Sequence, residues 1–193
     1  MIVSAPMNES ELRNLMYTAQ KKDNGPFSIR YPRGQGVMTD WKTPFIDIKI
    51  GTGRRVRNGS DLAILSIGHP GNFALSAAEK LEKEGLDVAV YDMRFVKPLD
   101  EILLHEVIEK FDTVISVEYG CLMGVLGSEI LEFMAEHVDN AKVKRVGIED
   151  RIFEHGSQDQ LFTEAGFNVD DIAATAEEML AEKLQRLNKL SAG

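Results

Sequence analysis

The chain has 193 residues, 44% of them hydrophobic and 27% charged, which suits a folded protein long enough for one large domain, or for one domain and part of another. Its net charge of −9 argues against nucleic acid, whose phosphates are bound by basic surfaces, and no apolar run approaches the roughly 18 residues of a membrane span. Residues 1–20 lack a basic and apolar leader pattern and the lone Cys121 excludes an internal disulfide, so a cytoplasmic protein without a membrane partner is expected.

MIVSAP opens as a short apolar strand, and Asn8 with Glu11 has the pattern of a capping pair in which each side chain serves the other's free amide. Leu12, Leu15, Met16 and Ala19 recur at helical spacing and predict one apolar face, ended by Asn24-Gly25-Pro26. FSIRY then alternates as a strand until Pro32 and Gly34 stop it. One strand, helix, strand unit is too small for a domain. Residues 1–34 therefore read as the end of a sheet whose earlier strands are missing, with exposed edges expected to dock poorly or to pair with another copy. Residues 35–45 have turn composition, and a boundary near Trp41 divides the chain into residues 1–41 and 42–193.

IDIKIG and RRVRNG flank Thr52-Gly53 like a hairpin, an expected antiparallel edge to a mainly parallel sheet. LAILSI (62–67), DVAVYD (87–92), TVISVE (113–118) and VKRVGI (143–148) are continuous apolar runs of strand length, separated by helical periods around 73–84, 100–110 and 127–137. That alternation predicts a three-layer α/β domain beside the remnant of a preceding α/β domain. Asp100 is the expected N-cap of a helix that buries Leu104, Val107, Ile108 and Phe111. From Asp170 onward Ile172, Ala176, Met179, Leu180 and Leu184 form one stripe of a terminal helix, with a polar ending at Ser191-Ala192-Gly193.

Several segments are candidates for chemistry. SIGHPGN (66–72) joins a strand to a helix, and its glycines either offer amides to an anion or form a tight turn; without GxGxxG spacing the turn is preferred, and His69 is read as structural. GCLMGVLGSE (120–129) is a second such connection, in which Gly124 and Gly127 allow close backbone approach. Glu118 and Glu149 end strands and are candidates to face a crevice at the carboxyl edge of the sheet. His69, His105, His137 and His155 are scattered, without zinc-site spacing, and Cys121 has no evident base. Arg54, Arg55 and Arg57 read as charges guarding an edge strand. Arg30 and Arg33 differ, because a strand end followed by a Pro-Gly turn can hold a guanidinium rigidly and aim two parallel donors at a phosphate.

MIVSAPMNESELRNLMYTAQ, GPFSIRYPRG, AILSIGHPGN, VYDMRFVKPLDE and DRIFEHGSQ, in this order, resemble the C-terminal part of the 1-deoxy-D-xylulose-5-phosphate synthase family, over residues 1 to about 175. The resemblance implies the end of a pyrimidine-binding domain followed by a transketolase-type C-terminal domain. It also implies a homodimeric parent that uses thiamine diphosphate and magnesium to join pyruvate to D-glyceraldehyde 3-phosphate. Because the segments that hold cofactor and metal are missing here, neither is expected in this chain, which is expected to be an inactive piece with no catalytic residue assigned. Arg33 matches the family arginine that contacts the acceptor's phosphate, whereas Arg30 is taken as structural. The sequence departs from the family at Gly124-Val125-Leu126-Gly127, where Val125 replaces a glycine and, as a β-branched residue, is expected to restrict the loop. A transketolase, a 2-oxo-acid dehydrogenase beta subunit and a free-standing dimerisation or regulatory module are the alternatives.

Overall fold

In the computed structural model, residues 1–38, 40–137 and 141–191 are described. Thr39 of the expected linker and Ala192-Gly193 of the expected polar ending lie outside them. A three-stranded sheet is ordered β2 (Phe27–Ile29), β1 (Ile2–Ser4), β6 (Phe95–Lys97), with β1 parallel to β2 and antiparallel to β6. A five-stranded sheet is ordered β3 (Arg54–Arg57), β5 (Val88–Asp92), β4 (Leu62–Ile67), β7 (Thr113–Cys121), β8 (Lys142–Ile148). Every neighbouring pair in the larger sheet is parallel except β3 with β5, so the antiparallel edge strand is present.

The central strands read as unbroken apolar runs because both sheet faces are covered. Successive side chains point to opposite faces. Leu62, Ile64, Val88, Val90, Ile115 and Val117 share a core with α2 (Pro70–Lys83), α5 (Gln158–Glu164) and α6 (Val169–Ser191). Ala63, Leu65, Ala89, Tyr91 and Val114 pack with α3 (Glu101–Lys110) and α4 (Leu126–His137). This is the three-layer α/β arrangement. Asp100 caps α3, its Oδ1 accepting from the Leu103 amide at 3.0 Å, and Leu104, Val107, Ile108 and Phe111 are buried as expected.

Residues 46–50 form no hairpin: the amides of Ile46 and Ile48 donate to Asn14 Oδ1 at 3.0 Å and Thr18 Oγ1 at 2.9 Å on α1 (Glu9–Ala19). With their backbone donors satisfied by side chains, these residues need no strand partner, and Ile48 enters a small core with Leu15 and Phe95. The same bonds explain the inner face of α1, where Glu11, Asn14 and Thr18 are buried beside Leu15 while Met16 is 43% exposed. Asn8 does cap this helix, accepting from the Glu11 amide at 3.0 Å, but Glu11 turns inward to Arg94 instead of back to Asn8.

Residues 1–34 do dock: β1 is flanked on both edges, by β2 and by β6 of the later part of the chain, while β2 stays at the edge of the small sheet. Buried Glu11 joins the two parts through Arg94, whose Nε and Nη2 donate at 2.7 and 3.1 Å, and through Arg54 at 3.1 Å. On α6, Ile172, Ala176, Met179 and Leu180 are buried, but Leu184 is 62% exposed, because the helix has by then run past the sheet layer it covers.

Candidate functional site

The carboxyl ends of β1, β2, β4 and β7 come together where the two sheets meet. They enclose a cavity of about 310 Å³ whose walls include Ala5, Arg30, His69, Lys97, Tyr119 and Val125. Open α/β sheets offer their ligand crevices at this edge. Most of the lining is apolar, with the cations Arg30 and Lys97 and a single carboxylate, Glu129. Such a surface suits an anion with a small uncharged body.

Arg30 lies over the Tyr119 ring, 5.6 Å from its centroid, and its charge acts on Glu118. It is therefore part of the cavity wall as well as a structural residue. Glu118 itself does not face a crevice. Its side chain is buried and accepts from the amides of Leu126 at 3.1 Å and Gly127 at 2.9 Å, at the start of α4. Free helix-terminal amides favour a carboxylate there, so the residue that ends the β7 core fixes the helix that follows. Burial pushes the Glu118 carboxyl above its ordinary range, against the opposing pull of the two amides and of Arg30 and Arg145. Glu149 is exposed and pairs with Arg151 at 3.4 Å.

The connection from β7 to α4 is not restricted by Val125. Gly124 carries the positive φ, +74°, that a side chain would resist, and among the described non-glycine residues only Asp23 and Arg94 have positive φ. The Gly124 amide donates to Ser128 Oγ at 2.9 Å, which closes the turn.

Arg33 follows β2 in an exposed loop pinned at both ends. Its carbonyl accepts from Gln158 Nε2 of α5 at 2.6 Å. Beyond it, Glu9 of α1 accepts from the amides of Val37 at 3.1 Å and Met38 at 2.8 Å. The Arg33 side chain is exposed and its guanidinium has no hydrogen-bond or ion-pair partner among the described residues. Arg33 does not line the 310 Å³ cavity, although Tyr31 and Pro32 beside it do.

The remaining candidates resolve as follows. SIGHPGN forms a tight strand-to-helix turn, held by Asn72 Nδ2, which donates to Met7 O at 2.7 Å and His69 O at 2.8 Å. His69 is half-buried against Phe73 and Phe162, with centroids 5.1 and 6.2 Å away; burial lowers its pKa and the charge of Glu9 raises it. His105 and His137 are not scattered: their rings meet at 4.7 Å beside Phe133. No group of three His, Cys, Asp or Glu side chains suited to a metal ion occurs among the described residues. Arg54 pairs with Asp92 at 3.2 Å, and Arg57 with Glu82 at 3.2 Å, so the edge strand's charges are engaged. Cys121 ends β7, half-buried.

Sequence reasoning missed Lys97, Tyr119, Glu9 and Gln158. Only the last had a local signal: Ser157 and Gln160 form a capping box that starts α5 and orients its first residue, Gln158.

The chain is similar to known proteins over most of its length. The chain is 61% identical over 176 residues to the 1-deoxy-D-xylulose-5-phosphate synthase of Cytophaga hutchinsonii, covering 91% of the chain and 28% of that protein. It is 49% identical to the synthase of the same name from Bacteroides thetaiotaomicron, covering 88% of the chain and 26% of that protein. The chain thus spans little more than a quarter of the length of the curated relatives it matches. Among solved structures, a split-gene transketolase described as an inactive β4 tetramer superposes with a TM-score of 0.81 at 28% identity, covering 94% of this chain and 58% of that one. The transketolase C-terminal domain family matches residues 51–172, more than half of the sequence. With synthases of this kind among its relatives, the chain belongs to the transketolase C-terminal domain family.

Proposed function

We propose that this chain is the C-terminal portion of a 1-deoxy-D-xylulose-5-phosphate synthase, the transferase that condenses pyruvate with D-glyceraldehyde 3-phosphate, releasing CO2, to make an isoprenoid precursor. The observation that carries the reading is the 61% identity to one such synthase across 91% of the chain. Arg33 is the proposed contact to the acceptor's phosphate. A guanidinium free of internal partners offers a phosphate two parallel charge-assisted hydrogen bonds, and a fixed loop reduces the entropy lost when they form.

Thiamine diphosphate, when bound by the parent, supplies the carbanion chemistry of the condensation. Magnesium takes oxygen ligands, often one or two carboxylates together with the diphosphate itself, and no group of three His, Cys, Asp or Glu side chains that could hold an ion converges among the described residues. In this reading residues 1–41 complete a preceding pyrimidine-binding domain and residues 42–193 form the C-terminal domain. Cofactor and metal are held by other parts of a cytoplasmic homodimer, and this chain alone is inactive.

Two measurements test this. The full-length parent should turn over pyruvate with D-glyceraldehyde 3-phosphate; a strict requirement for a ketose phosphate donor would instead make it a transketolase. Calorimetric titration of the present chain with thiamine diphosphate and magnesium should give no binding heat, and tight binding would remove the claim that the cofactor is held elsewhere.

A further inference from the structure

We propose that Gln158 is the positioning residue for Arg33, acting as a clamp from α5 on the turn that carries the phosphate-binding side chain. The proposal rests on the reading of Arg33 as the acceptor contact and names what makes that contact rigid.

Three observations support the clamp. Gln158 Nε2 donates to the Arg33 carbonyl at 2.6 Å, a bond between residues 125 positions apart in the chain. On its other side, Gln158 Oε1 lies 2.5 Å from the point that a Cβ on Gly34 would occupy. The amide therefore packs on bare backbone, and any side chain at position 34 would displace it. The backbone that carries Gln158 is fixed, while its side chain is exposed. The residue follows the N-cap Ser157, whose capping box with Gln160 starts α5, and Phe162 of the same helix is buried against Phe73, Tyr119 and Phe167.

Glu9 holds the amides of Val37 and Met38, so the segment from Arg33 to Met38 is tied at both ends while the guanidinium stays free. Precise binding requires a first contact supported by a second layer of hydrogen bonds. The chemistry of the clamp is specific, because a carbonyl oxygen needs a donor. Glutamate has the shape of glutamine but no donor when ionised, and asparagine is one methylene shorter.

The test is steady-state kinetics of the full-length synthase with D-glyceraldehyde 3-phosphate and with unphosphorylated D-glyceraldehyde as alternative acceptors. Gln158→Ala and the isosteric Gln158→Glu should each raise KM for the phosphorylated acceptor about tenfold, and Arg33→Ala about a hundredfold. KM for the unphosphorylated aldehyde should move less than about twofold in the Gln158 variants, because the clamp serves only the phosphate contact. Gly34→Ala should reproduce Gln158→Ala, and the double variant should be no worse than either, since both remove the same contact. If Arg33→Ala discriminates between the acceptors and the Gln158 variants do not, the clamp is wrong and the Arg33 reading stands. Equal losses on both acceptors in the folded Gln158→Glu protein also overturn the clamp, leaving a packing role only. If Arg33→Ala itself fails to discriminate, the underlying reading falls, and the proposal with it.

Discussion

Asp92 is fully buried between two arginines, accepting from Arg54 Nε at 3.2 Å and from the Arg94 amide at 3.2 Å, with Glu11 close by. Burial raises its pKa from 3.8 to about 6; the Arg54 charge opposes the rise and the Glu11 charge adds to it. The native state therefore holds a proton more tightly than the unfolded chain does, and the stability this provides is present below about pH 4 and lost as pH rises through 6. Asp92→Asn removes the titration and keeps the shape. The stability of wild type minus that of Asp92→Asn, measured by urea unfolding, should fall by roughly 2–3 kcal/mol between pH 4 and pH 7. A difference independent of pH would refute the buried titration. The residue scale is also where the sequence was least legible. Arg33 could be singled out because a strand end and a Pro-Gly turn are local features. For Gln158 the capping box marks only a helix start; its partner is 125 positions away, and only the assembled fold brings them together. Glu118 was identified as a strand end, yet period-2 alternation does not reveal that its side chain meets the amides of α4.

At the scale of elements, continuous apolar runs and helical periods were enough to locate β4, β5, β7, β8 and α2, α3, α4 and α6; the inner strands β4, β5 and β7 are buried on both faces, which leaves little polar residue to blur the pattern, whereas β8 at the sheet edge exposes Lys142 and Lys144. The false hairpin strand and the inward polar face of α1 share one cause. Where backbone amides are satisfied by side chains, as Ile46 and Ile48 are by Asn14 and Thr18, apolar alternation arises without a strand and polar residues face inward. β6 was missed because three residues are too few to show a period. The terminal helix tests how burial ends along an element. Met179 is 2% exposed and Leu184, five residues on, is 62% exposed. Met179→Ala should destabilise the protein by about 2–4 kcal/mol and Leu184→Ala by less than about 0.5 kcal/mol. Equal losses in thermal or denaturant unfolding would mean that the Leu184 face is covered in solution.

For the whole molecule, the question is whether residues 1–34 form one cooperative unit with the larger sheet or open separately. The contacts between them include β1 against β6, the Leu15, Ile48 and Phe95 core, Glu11 between Arg54 and Arg94, the bonds of Asn72 to Met7 and of Gln158 to Arg33, and Arg30 over the Tyr119 ring. Removing one partner of a buried ion pair leaves uncompensated charge, which is worth about 3–5 kcal/mol at full burial. Arg54 and Arg94 retain 34% and 15% side-chain exposure, so water relieves part of that, and Glu11→Ala should destabilise the junction by roughly 2–3 kcal/mol. The small sheet has only three strands, of three residues each, and little core of its own, so the loss should appear there first, as local opening. Hydrogen exchange should speed up by about thirty- to a hundredfold at the Ile2 and Arg30 amides, which donate to Pro26 O and Ser4 O. Amides in β4 and β7, which lie inside the five-stranded sheet, should be little changed if the junction opens on its own. Equal acceleration everywhere would mean that the two sheets unfold as one. No acceleration at Ile2 or Arg30 would mean that Glu11 does not hold the parts together, and that strand pairing with β6 and the remaining bonds between the parts suffice without it.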